Sequence, residues 1–139
     1  MSAPRIVAAA ATLLAAMATV VAFMDRDSDI APFFVGLTVA AGIQWWAVGA
    51  SFSGPRRRLA WTIVALWLLA AIWISVLLVM YQAMCACSLP PPSAEVTYLG
   101  LTATVYHLTG LYGGLLLAIV AAVLAELHRP QAARADGAA

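Results

Sequence analysis

Four long runs without a charge, Ile6 to Met24, Ile30 to Gly54, Leu59 to Pro92 and Val96 to Ala125, leave this chain little to fold into except a lipid bilayer. Each holds the ~20 apolar residues that a helix, rising ~1.5 Å per residue, needs to cross ~30 Å of hydrocarbon. Only 9% of the residues are charged and 65% are hydrophobic, whereas a soluble domain carries roughly 25% charged residues. The segments between the runs are too short to build a separate soluble domain. The expected fold class is therefore all-α: a polytopic membrane protein with four transmembrane helices in an up-down bundle. The spans are expected at about 6–24, 31–52, 59–84 and 97–125, in one domain covering 1–127. The small, polar stretch 128–139 is expected to be a disordered cytoplasmic tail.

The few charges are sorted. Arg5, the cluster Arg56, Arg57 and Arg58, and then Arg129 and Arg134 would lie on one side. Asp25, Arg26, Asp27 and Asp29, with Glu95, would lie on the other. Arginine marks the cytoplasmic side of short loops, so both termini are expected inside, with the chain a multi-pass protein of a cell's inner (plasma) membrane. The basic start and the Ala16-Met17-Ala18 site also resemble a cleaved secretory signal. The apolar run, however, outlasts the usual signal core, a single arginine precedes it, and the small-residue site lies inside it, so the reading is a retained helix.

Punctuation between the runs agrees with this division. Pro32 suits the first turn of a helix, where its missing amide has no helical partner. Ser53-Gly54-Pro55 is a turn signal ahead of the three arginines. The prolines after Cys85 end the third span in an extended outer loop. Span 1, rich in alanine, offers small faces for close helix contact.

Candidate chemistry is sparse. No span contains an interior Asp or Glu, which removes the usual carboxylate of a proton-coupled carrier. Phosphate-cradling loops, serine or cysteine catalytic sets and nucleic-acid patches are missing from the sequence, so no catalytic residue and no nucleic-acid partner are expected. His107 is the one ionisable side chain deep in a span, and a group of that kind faces protein or water rather than acyl chains. Gly100, Ala103, His107, Gly110 and Gly114 recur at spacings of three and four, so they share a face where a neighbouring backbone can approach. Tyr98, Thr102, Thr109 and Tyr112 form a second polar stripe beside it. Gln82 and Trp46 complete the set expected to tie helices together, against the lesser reading of His107 as a proton-transfer group or ligand.

Cys85 and Cys87, with Met80 and Met84 nearby, are the candidates for a soft metal such as Cu(I). Cysteines one residue apart rarely bridge each other without strain, and a structural zinc takes four ligands. A disulfide to another chain, or free thiols, is the plainer reading. Tryptophans 45, 46, 61, 67 and 73 read as interfacial anchors or packing. Arg56, Arg57 and Arg58 read as a topology determinant with anionic-lipid contact as a second role.

From Gly42 to Leu117 the order of features resembles subunit III of haem–copper cytochrome c oxidases. The Trp46-Ala47 pair precedes the basic loop Gly54-Pro55-Arg56-Arg57-Arg58. Gln82-Ala83 is followed by Pro90 eight residues on and then by Tyr98. Tyr106-His107 leads into Gly113-Gly114, as in the family pattern Phe-His-x-Leu-His-Val-x-Gly-Gly. The four spans would correspond to the third to sixth helices of that seven-helix family, with orientations that match the arginine placement. The chain departs from the pattern at the second histidine, at the acidic residue after Gln-Ala, at the histidines after Trp-Ala, and at the carboxylate of the first shared helix.

The resemblance implies a non-catalytic accessory subunit of a respiratory terminal oxidase, without haem or copper of its own. It implies packing on the haem- and copper-bearing catalytic subunits, structural phospholipid between helices, and membrane lipids as further partners. Losing the carboxylate weakens any part in proton uptake. The similar accessory protein of nitric oxide reductases fits the same residues. Two other classes contrast with it: a small four-helix transporter, which would need a membrane-embedded glutamate that span 1 lacks, and a membrane assembly protein.

Overall fold

The computed structural model describes residues 2–25, 29–49, 52–85 and 97–128. Cys87, Pro90, Glu95 and the expected tail beyond His128 lie outside the described residues, as do the side chains of Gln82 and Cys85. The described residues form four helices: α1 (Ala3–Met24), α2 (Ala31–Ala47), α3 (Gly54–Cys85) and α4 (Ala103–Leu127). A two-stranded antiparallel hairpin, β1 (Thr97–Tyr98) with β2 (Leu101–Thr102), precedes α4.

Three of the helices, α1, α3 and α4, are long and apolar enough to cross a membrane, and the chain is accordingly a helical membrane protein. α2 is shorter than its apolar run. The pattern places this span at 31–52, but the helix stops at Ala47 after 17 residues and the chain turns through Val48 and Gly49. At ~1.5 Å per residue it reaches about 26 Å, the lower edge of what spans a bilayer. α3 errs the other way. Its 32 residues begin at Gly54, whose φ of +52° only glycine takes easily, and Pro55 sits in the first turn. Arg56, Arg57 and Arg58 are therefore inside the helix rather than in a loop ahead of it.

Consecutive helices run in opposite directions. Ala8 of α1, Ala47 at the end of α2, Phe52, Ala60 of α3, and Ala121 and Ala125 of α4 share one cluster of buried side chains. At the other end Val21 of α1 meets Ala103 and Tyr106 of α4, with Tyr98 against them. α1 is the centre of the packing, against α2 and the length of α4. It can be, because Ala8, Ala11, Ala15, Ala18 and Ala22 make a stripe of buried methyl groups at alternating spacings of three and four. In lipid such small faces let backbones approach, and association rests on close van der Waals contact and interhelical hydrogen bonds.

α4 carries one irregularity. Residues Thr109–Gly113 form a π-helical turn, the equivalent of one inserted residue, which rotates everything beyond it by about 100° relative to a regular helix. The glycine-histidine face expected from 3.6-residue spacing is divided by this turn. Gly110 lies against α1, where an added Cβ would meet the Ala18 Cβ at 2.5 Å and the Leu14 carbonyl oxygen at 3.3 Å. Gly114 lies against α3, where a Cβ would meet Trp67 Cζ2 at 2.6 Å. Gly100 is not on the helix at all. With Leu99 it forms the hairpin turn, at φ +83° and +50° respectively. Tyr98 and Thr102, expected inside span 4, precede it in the hairpin, Thr102 occupying the N-cap of α4.

Candidate functional site

Several polar side chains between the helices tie one helix to another. Gln44 of α2, 1% exposed, donates its Nε2–H to the Ala118 carbonyl of α4 at 2.8 Å. Trp67 of α3 donates Nε1–H to the Leu111 carbonyl at 3.0 Å, inside the π-turn. A π-turn bonds back one residue further than an α-turn, which frees a carbonyl for an outside donor. The hydroxyls of Thr19 of α1 and Thr38 of α2 are 2.9 Å apart, and those of Ser75 of α3 and Tyr112 of α4 are 2.5 Å apart. Ser75 also donates to the Ala71 carbonyl at 2.7 Å. The tyrosine hydroxyl is therefore the donor of that pair.

His107 joins these ties through its ring. It stacks on Phe34 of α2 with centroids 4.9 Å apart and planes 22° from parallel, and its Nε2 is buried. Phe34 in turn meets Phe33 edge-on at 5.3 Å. The three rings stand at one wall of a cleft of about 840 Å³ between α2, α3 and α4. The cleft exists because α3 leaves the bundle: Ala71 is its last buried residue among those described, and Trp73, Leu77 and Leu78 are exposed. Its polar lining is confined to Asp29, Thr104 and His107, set among Trp73, Ile74, Leu108 and other apolar side chains. Such a volume suits an acyl chain, a small amphiphile or the edge of another helix.

The two ends of the bundle differ in charge. At the end holding the start of α1, Arg57 pairs with Glu126 and the Arg56 guanidinium lies 4.4 Å from the Trp46 ring. Trp46 is thus half exposed beneath Arg56 rather than packed between helices. Arg5 lies 5.6 Å from the Trp45 ring. At the opposite end Asp25 accepts a hydrogen bond from the Tyr98 hydroxyl at 3.2 Å, and the Tyr98 carbonyl accepts one from Tyr106 at 3.0 Å. Desolvation first, then the Asp25 charge and this hydrogen bond, hold the Tyr98 phenol above its ordinary value of 10.0.

Of the residues singled out in the sequence, the structure brings His107 to the cleft wall and Gly110 and Gly114 to helix contacts, while Thr109 is exposed and Tyr112 bonds across to α3. Gln44 was not among them, although an amide side chain in an apolar run was the available signal, and Trp67 was read as an anchor or packing residue rather than as the hydrogen-bond donor it is. Phe34 and the Thr19–Thr38 pair carried no signal of their own. Among the described residues no three His, Cys, Asp or Glu side chains gather as a metal site. Comparison with protein-family models, with curated proteins and with solved structures finds no match to this chain.

Proposed function

We propose that this chain is a non-catalytic accessory subunit, similar to subunit III of haem–copper terminal oxidases, that packs on a larger membrane core. The observation that carries the reading is the cleft beside α3. Gln44, Trp67, Thr19, Thr38 and Tyr112 are engaged in ties between the bundle's own helices, while a lateral opening of about 840 Å³ and the outer half of α3 are left for something else. The order of features from Trp46 through Gln82 to His107 and Gly114 gives that partner its identity: the haem- and copper-bearing subunits of a respiratory chain, in an inner (plasma) membrane with the arginine end cytoplasmic. Phospholipid fills whatever part of the cleft the core does not.

Purification of the tagged chain in mild detergent, followed by a reduced-minus-oxidised spectrum, tests this. Co-purifying haem is expected, with copper marking an oxidase and its absence a nitric oxide reductase. A preparation without haem removes the proposal.

A second reading, a small transporter, is favoured by Asp29 at the cleft and by Phe33, Phe34 and Trp73 in its walls, since an aromatic surface with a carboxylate suits a lipophilic cation. Substrate-dependent flux in proteoliposomes of the purified chain would support it.

A further inference from the structure

Arg5 is the cation in this bundle whose surroundings call for a ligand. Its Nε is buried and has no hydrogen-bond acceptor among the described residues. No described carboxylate pairs with it, Glu126 being taken by Arg57. The guanidinium lies against α2, 5.6 Å from the Trp45 ring, with Nη2 only 2.5 Å from where a Cβ on Gly49 would stand. The group is held in place on two sides, by an indole and by a backbone that glycine leaves open, yet among the described residues no carboxylate answers its charge. Burial of one edge raises the cost of the charge, so a counter-charge at the other edge is worth more than at a free surface arginine.

The neighbourhood has little negative charge to offer. Four arginines, 5, 56, 57 and 58, occupy this end of the described structure against one carboxylate, Glu126. The N-termini of α1 and α3 both point here, without an acidic residue in either first turn, and each adds a partial positive charge. The C-terminal carbonyls of α2, close to Arg5, supply a partial negative charge. That contribution falls short of an acceptor, since none of them takes the Nε–H.

We propose that the Arg5 guanidinium, seated between Trp45 and Gly49, binds the phosphate of an anionic phospholipid headgroup at the arginine end of the bundle. Trp45 and Trp46 lie beside Arg5 and Arg56 at the end of an apolar helix, and tryptophan is enriched where headgroup meets hydrocarbon, the level at which a lipid phosphate is found. The inference needs only that the bundle lies in a membrane, and is independent of the oxidase assignment.

The test uses the purified full chain and native mass spectrometry in mixed micelles, with phosphatidylglycerol, phosphatidylcholine or inorganic phosphate as the probe. Retention of phosphatidylglycerol over phosphatidylcholine is expected, weakened about fivefold or more in Arg5→Gln and much less in Arg58→Gln. Gly49→Ala keeps every charge but displaces the guanidinium, and is expected to reproduce the loss, which covers the case in which Arg5→Gln does not fold. Equal losses in Arg5→Gln and Arg58→Gln would reduce the site to diffuse charge and overturn the proposal. So would unchanged retention in Gly49→Ala, equal retention of the two lipids, or displacement of phosphatidylglycerol by inorganic phosphate at equal concentration. A haem-free preparation that still retains phosphatidylglycerol would remove the oxidase reading and leave this one standing.

Discussion

Whether a glycine in this bundle is needed depends on what stands where its Cβ would be. Gly110 and Gly114 have the Ala18 methyl and the Trp67 ring within 2.6 Å of that point. Alanine at either position must push a helix away or turn an indole that is 2% exposed, and overpacking of this kind costs about 1–3 kcal/mol. Gly36 and Gly42 of α2 have nothing within 4 Å, so alanine there gains helix propensity of up to ~1 kcal/mol. Thermal unfolding in detergent should therefore separate the four substitutions by sign. The hydrogen bond of Gln44 is a smaller matter: Gln44→Leu should cost about 0.6–1.7 kcal/mol, the range of single interhelical bonds in membranes. Tyr98 gives a pH signature. Its phenol is held above 10.0 by desolvation and by Asp25, so its contribution to stability is complete below that pH and is lost as the solution passes through the raised value. Absorbance titration near 295 nm should show a tyrosine phase above 10.0 that Tyr98→Phe removes.

Element boundaries were legible in the sequence wherever hydrophobicity alone decides them, and were not where local backbone geometry does. α1 follows its apolar run almost residue for residue, because nothing in it competes with a regular helix. α2 ends early at Ala47, and two residues on Gly49 lies against the Arg5 guanidinium, a contact between residues far apart in sequence. The π-turn at Thr109–Gly113 has no signature in hydropathy. It is supported by a tertiary contact, the Trp67 indole on the Leu111 carbonyl, so the 3.6-residue face that joined His107 to Gly114 in the sequence is divided in the structure. The hairpin before α4 was hidden for a related reason. Its turn needs two residues at positive φ, and the first of them is Leu99, 98% exposed at φ +50°. A leucine there is strained by roughly 1–2 kcal/mol. Leu99→Asn should recover part of that strain and raise the unfolding temperature, whereas the same change at Leu101, one residue past the turn, should not.

At the scale of the molecule, the bundle is polarised: described arginines at one end, Asp25 and Asp29 at the other. Three arginines in the first turns of α3 oppose that helix's own dipole. A chain that keeps them there, relieved by Glu126 and Trp46, is giving up helix stability for something outside the helix. In the proposed orientation translocation supplies that reason, because arginine beside a short loop resists export. The proposed orientation then makes a measurable claim. A fluorescent protein fused to the C-terminus should fluoresce and an alkaline phosphatase fused there should be inactive, since both ends would stay inside. Replacing Arg56, Arg57 and Arg58 together by glutamine leaves Arg5 as the remaining described arginine at that end, and should give a mixed population in which part of the phosphatase becomes active. The relief of the dipole conflict predicts a second effect of the same variant. The fraction that inserts correctly should unfold at a temperature no lower than the parent's, once allowance is made for the lost Arg57–Glu126 pair, which as a partly exposed bridge is worth at most about 1 kcal/mol. A marked fall in stability, with orientation unchanged, would mean that the arginines serve the fold itself rather than its insertion.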